Sequence, residues 1–539
     1  MIDSVGKTTV VPFWLALVLG VGSLLCYLTL AALARITSAG GDGPHDFNLG
    51  VPKGQDCSQL FGISVAAAGT PLSTVVAFFL LNGSTFGVRL FLCPLFFALG
   101  ILATYWVYRR AGINGYFKEG TSPNRHGYVG LIPFLGTRLS GSSTIGDTLL
   151  ILCALPLLGL LTLEIAFGIQ VIEYISAGAF QIPDTMTWRT FFIFAVFMIL
   201  LLGYVFVGGF RAVVRSDVLQ YKLIQTAVVL SLATFLVLSL QTHARLLWNL
   251  LWPKAKPTEL VGFYIPVIFV NLVLPLGLVS SWQRFRAFEY VGLNMWSATL
   301  SGVKKLISLW VGLILLALCF VIFGIGTGGK SLAMLFNAIQ SQGDWYRFFV
   351  FPILAVAALS AMYSCSDTCV SALLYLIEYP RSSIKDDEQV IRRLSPKYYW
   401  AMASILSVTL FSYWFLRIKY PQDITAGPLF KLATALYANL SVIAPTLVLM
   451  ALLVPAGSSF QMRYRSRYIT ASLLVGLVTF WGCMLLGFRN SLWSQCATIP
   501  ALVTSSFPAW LLYRRERRVL RSEGYDRRSY SISRTGTVG

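Results

Sequence analysis

The chain has 539 residues, of which 56% are apolar and only 12% charged, with a formal net charge of +20. A soluble fold of that length needs far more polar surface, because most of its outside meets water, so the composition implies lipid as the solvent. The long runs are continuously apolar, which excludes a barrel with alternating strands and leaves an all-α polytopic membrane protein.

The first apolar run, Val11 to Ala34, lacks a basic leader and a small-residue cleavage site, and it reads as a retained span. A helix needs about 20 apolar residues to cross the hydrocarbon core. By that measure there are about 13 transmembrane helices: 11–35, 57–82, 86–108, 143–173, 190–208, 217–240, 261–281, 303–326, 345–375, 398–416, 428–454, 468–488 and 493–513. The basic residues gather on alternate loops. One side takes Arg109, Arg110, Arg211, Arg215, Arg284, Arg286, Lys304, Lys305, Arg463, Arg465 and Arg467, and the tail beyond Arg514. The positive-inside rule makes that side cytoplasmic, with the N-terminus outside, as an odd number of spans requires. The net charge is then an orientation signal, and nucleic acid is not an expected partner. The tail 514–539 is basic and serine-rich, is expected to be disordered, and suits anionic lipid headgroups.

No serine-hydrolase elbow, zinc-protease helix or phosphate-binding loop occurs, so an enzyme is not expected. Nine cysteines and three histidines have no metal-ligand spacing. The informative feature is a pair of interrupted spans. The second carries Gly69, Thr70 and Pro71 at mid-membrane, and the seventh carries Asn271, Pro275 and Gly277 at similar depth. Proline removes a backbone donor, glycine eases unwinding, and unwound backbone at that depth needs protein or a wet cavity around it. Broken helices five spans apart mark an inverted-repeat transporter with a midplane site. For any single proline, a plain kink is the competing reading.

Three segments carry a family resemblance. GYVFVGGFRAVVRSDVLQ (Gly203 to Gln220) resembles the G-G-x-x-A-V-x-x-[ST]-D-x-x-Q signature of the sodium:solute symporters. LSAMYSCSDTCVSALL (Leu359 to Leu374) is similar to that family's A-x-x-S-[ST]-x-D-S stretch, and Gln283-Arg284 matches its Q-R after the broken sixth core helix. The resemblance runs from about Gly62 to Pro455. It implies a LeuT-like inverted 5+5 helix repeat with one leading and two trailing helices. The organisation is then 1–55 leading helix and linker, 56–455 core (repeats about 56–241 and 260–455), 456–513 trailing helices, and 514–539 tail.

The resemblance also implies a sodium site between the first and eighth core helices, at Gly69, Leu72, Ala361, Ser364 and Cys365. Asp217 would lie on the sodium exit path and Asn271 beside the solute, with Thr70 at the other break. One departure weakens the ion site: Cys365 puts a soft thiol where a hard cation wants oxygen. Close packing of small residues is the plainer account of Ser364 and Cys365. Glu164 sits among apolar neighbours in the 143–173 span, where it is either a proton or cation partner or an internally satisfied carboxyl. Trp282 reads as an interfacial anchor.

The expected function is cation-coupled symport of a small polar solute, with sodium leading and proton-coupled or uncoupled carriage behind it. The competing class is a transporter-like receptor that binds solute without moving it. The expected location is the cytoplasmic or plasma membrane.

Overall fold

The structure is a computed structural model. It describes residues 85–113, 143–176, 188–239, 252–254, 256–291, 294–322, 351–378, 396–419, 428–452, 462–487 and 496–522, with isolated positions before these, among them 62–64, 75 and 79. Among the described residues every element is helical. A 3-10 turn, Gly87–Phe91, opens into α1 (Leu92–Ile113), followed by α2 (Ser143–Ser176) and α3 (Trp188–Ser239). The seventh predicted span is built from α4 (Pro257–Ile265), a π-helical turn (Pro266–Val270) and α5 (Asn271–Gly277), and it runs on into α6 (Val279–Val291). Next come α7 (Met295–Ile322), α8 (Phe351–Glu378), α9 (Pro396–Lys419) and α10 (Pro428–Asn439). A 3-10 turn (Leu440–Ile443), α11 (Ala444–Leu452), α12 (Met462–Gly487) and α13 (Thr498–Ser522) complete the chain.

Six described segments are long and apolar enough to cross a membrane. Their outward residues are what lipid requires: Ile151, Leu155, Ile199, Val229 and Val478 are all exposed, as are Phe411 on α9 and Phe507 on α13. In water such a surface would drive aggregation, and in a bilayer it costs nothing. Every predicted span from 86–108 onward meets a helix; all of 11–35 but Thr29 and nearly all of 57–82 lie outside the described residues.

Local signals set several helix ends. Pro257 opens α4 where its missing N–H is not needed, and Glu259 Oε2 accepts from the Lys256 backbone N–H at 3.0 Å. Asn294 Oδ1 caps α7 by accepting from the N–H groups of Trp296 (3.1 Å) and Ser297 (3.3 Å). The two spans predicted at 190–208 and 217–240 are two helices that meet without a loop at a kink on Gly209, where φ is 57° and ψ −156°. Only glycine adopts that combination cheaply, so one glycine of the sequence signature makes the corner.

Packing centres on α8, which lies along both α2 and α3, while α5 packs on α1 and α12 pairs with α13. Gly168 of α2 has Met362 of α8 where its own Cβ would stand, so those helices approach as closely as backbones allow.

Two readings from the charge pattern need correction. Arg211, Arg284, Arg286 and Arg465, counted among loop charges, are all buried on helices. The tail expected to be disordered from residue 514 continues α13 to Ser522, where Arg465 Nε donates to a buried Glu516 carboxylate. For Arg284 and Arg465 the cause is the same: a carboxylate on a neighbouring helix compensates a charge that local sequence alone would leave in water.

Candidate functional site

The interruption of the seventh span is real, and it falls at Leu278, one residue beyond Gly277. Pro275 has no N–H to give to the carbonyl of Asn271, and Leu278 is extended at φ −77°, ψ 111°. The helix closes with a Leu278 N–H to Pro275 O bond of 3.3 Å and restarts with Ser281 N–H to Leu278 O at 3.0 Å. One freed carbonyl, Leu276 O, accepts from Trp282 Nε1 at 2.8 Å. Trp282 is 1% exposed, so the interfacial-anchor reading is corrected. Its indole is spent on backbone that lipid would leave unpaired at a cost of several kcal/mol.

Glycines let other helices close on this break. A Cβ on Gly100 of α1 would stand 2.7 Å from the carbonyl oxygens of both Asn271 and Leu272. A Cβ on Gly277 would stand 2.6 Å from Leu440 O in the second 3-10 turn. Asn271 itself is half-buried, directly after the π-helical turn. Such turns place a wider groove in a helix and recur at functional sites.

Beyond the break, α6 carries Arg284 into a fully buried polar network. Arg284 Nε donates to Ser64 O (3.1 Å) and Ser64 Oγ (3.0 Å), and Nη1 to Ser280 O (3.2 Å). Nη2 reaches Asp217 Oδ2 at 3.4 Å and Thr368 Oγ1 at 3.2 Å. Asp217 also accepts from Ser64 Oγ at 2.7 Å and from Ser364 Oγ at 3.2 Å. The corner at Gly209 brings the Phe210 ring to 5.5 Å from the guanidinium carbon. A second carboxylate, Asp367, accepts from Ser216 Oγ at 2.9 Å and from Tyr204 OH at 3.4 Å. One turn further along α8, Ser371 Oγ accepts from Gln283 Nε2 at 3.1 Å.

Several sequence-derived candidates therefore meet. Ser364 and Asp217 are joined by one hydrogen bond, and Ala361 and Cys365 are buried beside them on α8. Cys365 Sγ lies 4.0 Å from Cys369 Sγ. Gly69, Thr70 and Leu72 lie outside the described residues. For sodium, the α8 half of the expected ligand set fits poorly: Cys365 offers a soft sulfur. Glu164 is completely buried on α2, within electrostatic reach of Cys365 and Tyr437.

Ser64, Tyr204, Thr368 and above all Arg284 are the residues that sequence reasoning missed. Arg284 ends an apolar span, so it reads as a loop charge. The available signal was the scarcity of counter-charges, since Asp217 and Asp367 are buried carboxylates that need a cation.

No model of a known protein family matches the chain, and no curated protein matches it. Solved structures do. A Na+-coupled sialic acid symporter, in a substrate-bound outward-open state, aligns over 92% of this chain and 97% of its own, with a TM-score of 0.57 at 13% identity. A manganese transporter of Eremococcus coleocola aligns over 87% of this chain and 99% of its own, with a TM-score of 0.48 at 14% identity. At such identity a likeness speaks for the fold alone. The chain is a multi-pass, all-helical membrane protein with the fold seen in the sialic acid symporter.

Proposed function

We propose that this protein is a secondary carrier that moves a small polar solute across a membrane by alternating access. The observation that carries the reading is the break at Leu278, held open by Pro275, sealed by Trp282 and closely approached by α1 and the 3-10 turn at Leu440. Discontinuous helices at membrane depth present backbone groups and helix ends to a ligand, which a merely structural span has no need of. The solute lies on the Asn271 side of the break, where an amide supplies donors and an acceptor to a neutral polar group. Thr70 and Glu164 border the same compartment in this reading.

The Ser64–Asp217–Arg284–Thr368 network is the closure on the basic, cytoplasmic side. It ties the start of the second span to α3, α6 and α8, and release requires it to part. Sodium is the coupling ion to test first, because the solved symporter with this fold is Na+-coupled. Its site would join Gly69 and Leu72 to Ala361, Ser364 and Cys365, with Asp217 on the exit path. The ten-helix core at 56–455 does the work, and the end of the tail rests on anionic headgroups.

Counterflow in proteoliposomes tests carriage. Vesicles preloaded in turn with sialic acid, a neutral sugar or an amino acid should draw in labelled tracer of at least one of them. A compound that binds the purified protein yet never exchanges would turn the reading to a receptor. Uptake equal in sodium and in choline would remove sodium, whereas Cys365→Ser strengthening sodium dependence and Ser364→Ala weakening it would support the site. A shift to pH-driven uptake would make Glu164 the coupling group.

A further inference from the structure

The guanidinium of Arg284 is packed into a wall of oxygen drawn from four separate segments. Carbonyl oxygens come from Ser64 and Ser280, hydroxyls from Ser64 and Thr368, and a carboxylate from Asp217. Ser364 adds a further hydroxyl on the far oxygen of Asp217. All of these residues are buried, with relative exposures of 0–3%. Carbonyls, hydroxyls and one carboxylate make up the donor set that a hard monovalent cation takes, and the hydrogen-bond partners of Arg284 among the described residues are all oxygens. The set at Ala361, Ser364 and Cys365 does not meet that description.

The charge count around Arg284 points the same way. Asp367, the second buried carboxylate, lies within electrostatic reach of Arg284. Its Oδ1 has no hydrogen-bond partner among the described residues. Without Arg284, two carboxylates would share a dry region of the membrane with no positive charge between them. A cation, or a proton on a carboxylate, has to offset that charge. A guanidinium spreads its charge over a plane and loses hydration more readily than an ammonium, which makes arginine the side chain best suited to such a place.

We propose that Arg284 is a tethered cation standing among oxygen donors of the kind that a free monovalent cation such as sodium takes, so that the native protein holds its own counter-ion at Asp217, and that the donors close on sodium when the guanidinium is removed. Removing the guanidinium converts this oxygen cage into a sodium-binding site. The inference does not depend on whether solute is carried or sensed, and binding can be measured without either.

The experiment compares purified wild type, Arg284→Met and the double variant Arg284→Met/Asp217→Asn in detergent. Thermal unfolding is followed in sodium chloride and in choline chloride at equal ionic strength, together with binding of radioactive sodium. Arg284→Met keeps bulk and loses charge. It should unfold at a higher temperature in sodium than in choline, by a margin the wild type lacks. Adding Asp217→Asn should weaken the gained sodium binding at least about tenfold. Three results overturn the proposal. One is a monodisperse Arg284→Met that binds no more sodium than wild type. Another is a variant stabilised by acid equally in both salts, which would mean that the cage takes a proton. The third is an Arg284→Met that cannot be purified in either salt, since a free cation would then fail to replace the tethered one.

Discussion

Trp282, Gln283 and Arg284 follow one another on α6, and each spends its polar atoms on a different neighbour. Trp282 closes the carbonyl of Leu276, Gln283 bonds Ser371 on α8, and Arg284 neutralises Asp217. Their energies differ in kind. A buried ion pair repays little beyond its own desolvation, yet breaking one partner leaves a charge stranded. The indole bond is neutral and local, so its loss strands only a carbonyl. Trp282→Phe keeps the aromatic volume beside Tyr108, whose ring centroid is 5.6 Å away, and deletes the donor. It should cost about 1–3 kcal/mol, the desolvation penalty of one unpaired buried group. Thermal unfolding of the purified variant reads this out; an unchanged midpoint would mean that water or another donor takes the carbonyl.

At the scale of elements, the two corners of the core are made differently. The corner at Leu278 uses proline to deny a hydrogen bond and leaves the backbone in an ordinary extended conformation. The corner at Gly209 uses a left-handed backbone that a side chain would strain, and it sets where Phe210 and Asp217 stand. Gly209→Ala should therefore cost about 1–3 kcal/mol. It should also tilt the second arm of α3 away from Arg284. In practice the variant should show a lower unfolding midpoint and faster hydrogen exchange at residues 210–220. Exchange unchanged there would mean that the bend tolerates a Cβ. The sequence signature containing this glycine pair was legible as a motif, and the joint between two spans was expected there. That the two helices meet directly at a kink on Gly209, with no loop between them, is visible only in the tertiary structure.

For the molecule as a whole, orientation is the open prediction with the widest consequences. The reading that the N-terminus is outside and the tail inside counted Arg211, Arg284, Arg286 and Arg465, which are buried on helices and do not stand in loops. The bias persists without them, on Arg109, Lys304, Arg467 and Arg514 through Arg518. Cysteine-accessibility labelling in intact cells should leave a probe near residue 525 protected and expose one at residue 4. The opposite pattern would invert the molecule and move the Arg284 network to the outer face.

What the sequence determined by itself is the class, the positions of the spans from residue 86 onward, and the existence of a break in the seventh. Those follow from apolar length, from the missing proline donor and from glycine, all of which act within one helix or one turn. The fate of the charges was decided only by the tertiary structure. An arginine at the end of an apolar span is the same string of letters whether it reaches headgroups or turns inward. Asp217 lies 67 residues away from Arg284, and Ser64 220 residues away, and they become neighbours only when α3, α6 and α8 pack. Burial of a cation is affordable only with such oxygen around it, so the pairing could not be read before the helices were brought together.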